Sequence, residues 1–147
     1  MTRAQIREDI FKLLFRIEFN SLEDMQEQLA LFFDQPQISE EGEDTDAQIP
    51  AADADYITQK YEKIVAKIPE LDALIDSAAK GWKSSRLGKV DLTILRLAVY
   101  EMKFDEDIPV GVAINEAVEL AKKFGQDESP SFINGILAKL AKSSDNE

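Results

Sequence analysis

The side chains that could do covalent or metal chemistry are few, and the missing types decide more than those present. The 147-residue chain has no cysteine and no histidine. It therefore offers no thiol nucleophile, disulfide framework, imidazole base or Cys/His metal site. Among the carboxylates, Glu116 and Glu119 stand three apart, a spacing that places them on one helical face. That face also carries Lys122 and Lys123, so the pair reads as solvated rather than as a desolvated acid and base. Arg3 and Arg7, one helical turn apart, could hold phosphates, while Lys12 and Arg16 fall about half a turn round from them. The pattern points to binding rather than catalysis, with no metal and no cofactor.

The net charge of −12 opposes binding to a polyanion, but it is unevenly spread. From Ile17 to Gln59 there are 12 acids and no Lys or Arg, and the rest of the chain is neutral. Within that remainder, Lys80 to Lys103 carries six bases against Asp91 and Glu101. Local fields, not the total, govern which partner each part attracts.

Helical periodicity dominates the elements that must position these groups, and no convincing strand alternation is visible. The chain reads as one all-α domain over residues 1–147. Thr2 can cap a first helix with the stripe Ile6, Ile10, Leu13, Leu14 and Ile17; Ser21 can cap a second carrying Met25, Leu29 and Phe32. Asp34 to about Ala52 is rich in Gln, Pro, Ser, Gly and acids and reads as a solvated, mobile loop. A third helix from about Ala54 presents Ile57, Tyr61, Ile64, Val65 and Ile68. Pro69 suits the first turn of a fourth, which Gly81 ends.

From Val90 to Phe104 the sequence is apolar around most of a helix, leaving a wedge of Arg96, Tyr100 and Lys103 that suits polar satisfaction at a junction of subdomains. Ala113, Ala117, Leu120, Ala121 and Phe124 define the inner face of the next helix, which Gly125 stops. Ser129-Pro130 has the cap-plus-proline signature of a last helix; Gly135 within it implies close backbone packing there. No stretch approaches the roughly 18 apolar residues of a membrane span and the start lacks a cleavage site, which predicts a cytoplasmic protein without membrane contact.

Three strings in the second half resemble the NusB family: GKVDLTILRLAVYEMKF from Gly88, IPVGVAINEAVELAKKFG from Ile108 and SPSFINGILAKL from Ser129. Their order and spacing, with the paired AINEAVELAKKFG and FINGIL, make the likeness specific, and the opening helix follows it more loosely. The resemblance implies a compact bundle of about seven helices in two subdomains that acts as a transcription antitermination factor. It implies joint binding of single-stranded boxA RNA with NusE, a small-subunit ribosomal protein, and indirect ties to other Nus factors and RNA polymerase. A homodimer is compatible with it.

Residue by residue, the resemblance places Arg3 and Arg7 on RNA phosphates, with Lys12 and Arg16 ranked behind them in a cluster thinner than many members carry. Phe124 and Phe132 flank the loop Gly125 to Ser131 near the RNA, Phe132 being the better stacker because Phe124 falls on its helix's apolar arc. Asp127 and Glu128 in that loop suit base donor groups or a brake on affinity. Arg86, Lys89 and Asp91 resemble the side offered to NusE, Asp91 also serving as a cap or first-turn acid. Val110 stands where a tyrosine is common, which implies a more apolar NusE contact. Two other readings are a protein-only helical adaptor, separable by whether boxA binds, and a domain related to RNA cytosine methyltransferases. The latter needs a glycine-rich cofactor loop and a cysteine, and this chain has neither.

Overall fold

A computed structural model describes residues 1–34, 37–38, 44–45, 49–79 and 87–145. Seven helices appear among them, and they group into two units, Met1–Lys63 and Ile64–Glu147. Most of the acidic stretch expected to form a loop lies outside the described residues, as do Gly81 and Arg86. Within that stretch, β1 (Gln37–Ile38) and β2 (Asp44–Thr45) make a two-residue antiparallel pairing, Gln37 opposite Thr45.

The first unit begins with α1 (Arg3–Arg16), opened by the expected Thr2 cap. Thr2 Oγ1 accepts the Gln5 N–H at 3.1 Å and Gln5 Oε1 accepts the Thr2 N–H at 2.8 Å. Two otherwise orphaned donors are satisfied reciprocally. Ser21 caps a turn, its hydroxyl accepting from Asp24 N at 3.2 Å, and α2 (Met25–Asp34) starts beyond it. α1 packs on α2. Ile10, Leu13 and Leu14 are buried as the stripe requires, and Phe11 joins them. α3 (Ala51–Ala66) starts at Ala51, three residues before the periodicity suggests, and buries Ile57, Tyr61 and Ile64. It runs across the division between the units.

In the second unit, α4 (Ile68–Ala78), α6 (Val110–Phe124) and α7 (Ser129–Asp145) all contact α5 (Lys89–Phe104). Nine consecutive or near-consecutive residues of α5 are buried, from Leu92 to Glu101, because neighbours cover the helix on several sides. Its polar wedge is satisfied locally. Arg96 Nε and Nη2 donate to the two Asp72 oxygens at 2.8 and 2.9 Å, a bidentate pair joining α5 to α4. The periodicity places this wedge at a junction of subdomains, whereas Asp72 lies within the same unit. Lys103 donates to the Leu140 carbonyl at 3.1 Å, tying α5 to α7. Gly88 holds the N-cap of α5; Asp91 is therefore the first-turn acid and not the cap, where its charge complements the helix dipole.

The burial of charge on α1 is not signalled by its stripe. Arg7 and Asp9 are 7% and 5% exposed, and Asp9 Oδ2 has no hydrogen-bond partner among the described residues. Burial pushes the Asp9 carboxyl up to about 6, with Lys12 opposing and Glu8 adding to the rise. The folded chain therefore holds this proton more tightly than the unfolded chain, whose carboxyl titrates near 3.8. Asp9 favours the fold below that value, and its contribution falls as pH rises to about 6, above which the charged group is at its full cost. We expect Asp9→Asn to stabilise the protein near neutral pH by about 1–2 kcal/mol, allowing for solvent screening, and to leave it nearly unchanged at about pH 4. Denaturant unfolding across this range measures the difference; one that is constant with pH would refute the role given to Asp9.

Candidate nucleic-acid interface

The loop joining α6 to α7 is built around a contact with no room in it. Gly125 follows α6, its N–H donating to the Ala121 carbonyl at 2.9 Å, and its φ of −90° is open to any residue. Space is what demands glycine. A Cβ there would lie 2.6 Å from Ser129 Cβ and 2.8 Å from the Ala121 oxygen. Ser129, buried as the first residue of α7, turns its hydroxyl back to accept the Gln126 N–H at 3.0 Å, and its own N–H donates to the Gln126 carbonyl at 3.0 Å. The serine thus fastens the preceding loop, where the cap-plus-proline pattern suggested a bond forward into the helix.

This fastening positions Glu128 and Phe132 beside the start of α5. A cleft of about 390 Å³ lies between Leu87, Gly88 and Asp91 on one side and Gln126, Glu128, Ser129 and Phe132 on the other. Phe132 is half-buried, Asp91 half-buried and Glu128 exposed. Among the described residues lining the cleft none is basic. These residues offer a phosphate no side-chain cation. They can offer an aromatic face together with carboxylate acceptors, which suits a base carrying amino donors. Asp91 and the pair Glu128 and Phe132, which sequence reasoning assigned to different partners, therefore share one cleft. The parts it missed are Gly88 and Gln126, which contribute through backbone and position rather than through a distinctive side chain.

The other expected residues distribute differently. Arg3 is exposed on α1, but Arg7 is buried despite lying one turn on, so the two do not form one open phosphate-binding edge. Arg16 donates to the Gln28 carbonyl and to Gln28 Oε1, both at 3.2 Å, and lies 5.2 Å over the Phe32 ring. Its guanidinium serves the packing of α1 on α2. Lys12 is exposed. These four belong to the first unit and the cleft to the second. Phe124 is half-buried with Lys123 Nζ 5.6 Å from its ring, and it does not line the cleft. Lys89 is exposed at the first position of α5. Val110 is 40% exposed, with Val112 at 43% beside it, but it follows the far end of α5, roughly 20 Å of helix from Asp91. The structure does not gather it with Lys89 and Asp91. Arg86 lies outside the described residues.

Gly135 overturns a packing expectation. A Cβ at this exposed position in α7 would meet nothing within 4 Å. It borders a second hollow of about 260 Å³ formed with Ala78, Ala79, Ser131, Phe132, Ile136 and Lys139. Glycine here opens space instead of admitting a neighbour.

The two glycines predict opposite responses to one methyl group. Gly125→Ala should destabilise the protein by about 1–3 kcal/mol, since Ser129 Cβ and backbone must move. Gly135→Ala should be neutral or stabilising by up to about 1 kcal/mol, through helix propensity. Urea unfolding of the two variants compares them directly, and an equal effect would refute the close approach at Gly125.

Similarity to known proteins falls in line with this architecture. The NusB family pattern matches residues 4–142. The transcription antitermination protein NusB of Agathobacter rectalis is 52% identical over 141 residues, covering 96% of this chain and all of that protein. Among solved structures, NusB of T. maritima superposes with a TM-score of 0.80 at 33% identity, over 97% of this chain and 92% of that one. A complex of the antitermination factors NusB and NusE with double-stranded RNA contains a chain that matches with a TM-score of 0.71. At 24% identity, over 97% of this chain and 99% of that one, it shares the fold. Sequence pattern, near-complete coverage of relatives and architecture agree that the chain belongs to the NusB family.

Proposed function

We propose that the chain is a transcription antitermination factor that binds single-stranded boxA RNA jointly with NusE and performs no catalysis. The observation that carries this reading is the cleft that Phe132 lines together with Asp91 and Glu128. A ring accepts the face of an unpaired base, and carboxylates accept from the exocyclic amino groups of cytosine, adenine or guanine. Duplex bases are already stacked and paired; the cleft suits a splayed one. Arg3 supplies a separate phosphate contact from the first unit, while burial of Arg7 and engagement of Arg16 leave that unit with few. The solved complex of NusB and NusE with double-stranded RNA supports NusE and RNA as partners, and the choice of an unpaired strand rests on the cleft. Lys89, at the start of α5, and Val110, after its end, are offered as separate NusE contacts.

With few phosphate contacts the chain alone should bind weakly, and a partner with its own surface should strengthen the complex. A titration with boxA and a scrambled RNA, each with and without NusE, tests the proposal. Preference for boxA that NusE enhances is expected; equal affinity for both RNAs, unaltered by NusE, would leave a protein-only adaptor.

The two kinds of contact should separate under mutation. Arg3→Ala should weaken both RNAs alike and flatten the log-log salt dependence by about 0.7, the share of one phosphate on a single strand. Phe132→Ala should remove roughly 1–3 kcal/mol from boxA binding and leave that slope intact. Circular dichroism establishes first that each variant is folded. A folded Phe132→Ala protein that binds boxA normally would mean the cleft takes no base.

A further inference from the structure

Phe132 borders not one hollow but two, and the second has a composition of its own. It runs along α7 past Gly135 to Lys139, with the end of α4 at its floor. Ala78 and Ala79 are small and buried, Ile136 adds apolar surface, and Ser131 and Lys139 stand exposed at the rim. Gly135 is the telling residue. Inside a helix it is the least favoured choice apart from proline, and its missing Cβ relieves no contact, since nothing lies within 4 Å of where it would be. The groove stays open because that position has no side chain. At about 260 Å³ it is smaller than the roughly 300–1,000 Å³ of sites that enclose whole small molecules, and its apolar floor with a ring at one end suits a flat heterocycle.

We infer that this groove seats a second nucleobase, adjacent along the RNA to the one taken in the Asp91, Glu128 and Phe132 cleft. The inference rests on the RNA reading proposed above and extends it. Continuity selects the occupant: Phe132 lines both hollows, so a strand that places a base against it on the cleft side has its neighbour beside the groove. Charge agrees, because the cleft is lined by acids and the groove by Lys139 and Ser131. A cation and a hydroxyl at the rim suit a backbone phosphate and a base edge.

The test combines a boxA RNA carrying one abasic nucleotide at each position in turn with Gly135→Leu, whose side chain would fill the groove. On the unaltered protein with NusE, two neighbouring abasic positions should each weaken binding by roughly 5- to 150-fold, the range for one stacked base. Gly135→Leu should weaken intact boxA by a similar factor and abolish the penalty at only one of those positions; Phe132→Ala should reduce the penalty at both. Gly135→Gln provides the same readout should the leucine variant fail to fold. Folded Gly135 variants that bind boxA normally, or that lose affinity for NusE but keep the abasic pattern, would overturn the groove as a base site while leaving the cleft standing. If Phe132→Ala is equally silent, neither hollow takes a base; if the unaltered protein shows no preference for boxA over scrambled RNA, the RNA reading beneath both falls.

Discussion

A helix that is apolar on most of its circumference can be kept from water only by neighbours on several sides, and α5 imposes that requirement on the second unit. α4, α6 and α7 all contact it, and the residues from Leu92 to Glu101 leave almost nothing exposed. One consequence is that polar groups on α5 need protein partners. Arg96 takes both oxygens of Asp72, and Lys103 takes the Leu140 carbonyl. Each bond joins α5 to a different neighbour, so satisfying the wedge also fixes which helices stand beside it. A bidentate carboxylate pair adds geometric specificity as well as energy. Replacing Arg96 would leave the Asp72 carboxylate without this bidentate donor, and losing one side of such a pair costs more than the pair contributes.

The candidate site sits where that packing ends. Its two sides come from elements far apart in sequence, the start of α5 and the loop before α7. The contact of Gly125 with Ser129 makes the loop tight enough to act as a wall. Ser129 closes the loop through Gln126 at both its hydroxyl and its amide, and Glu128 and Phe132 then flank an anchored start of α7. Binding groups held on a prepaid scaffold lose less freedom when a ligand arrives. That matters for a single-stranded RNA, which itself must be ordered on binding.

The helices were legible in the sequence because their signals are local. Thr2 with Gln5, Pro69 in the first turn of α4 and the apolar girth of α5 each act within a turn or two. What escaped were effects that depend on distant neighbours. Nothing in the stripe of α1 distinguishes a buried Arg7 from an exposed Arg3, because burial is decided by what packs outside the helix. Arg16 offers the same lesson, since Gln28 and Phe32 on α2 claim it. Gly125 and Gly135 look alike as letters, yet one is required by a crowded contact and the other borders empty space. The grouping of Asp91 with Glu128 and Phe132 was out of reach for periodicity, because it arises from tertiary packing.

The charge of the chain fits the chemistry of the cleft better than a count of lysines suggests. A protein that gripped RNA chiefly through phosphates would need many cations, would bind most sequences alike, and would lose affinity steeply with salt. This chain carries −12 overall and places two acids, Asp91 and Glu128, in the cleft beside Phe132. Acids repel the backbone, so only a strand that turns a base inward recovers the loss, through stacking on Phe132 and donation to the carboxylates. On the proposed reading, the same residues that weaken non-specific binding strengthen the preference for particular bases. Affinity must then come from a second surface, and a partner protein that brings its own phosphate contacts is the natural source.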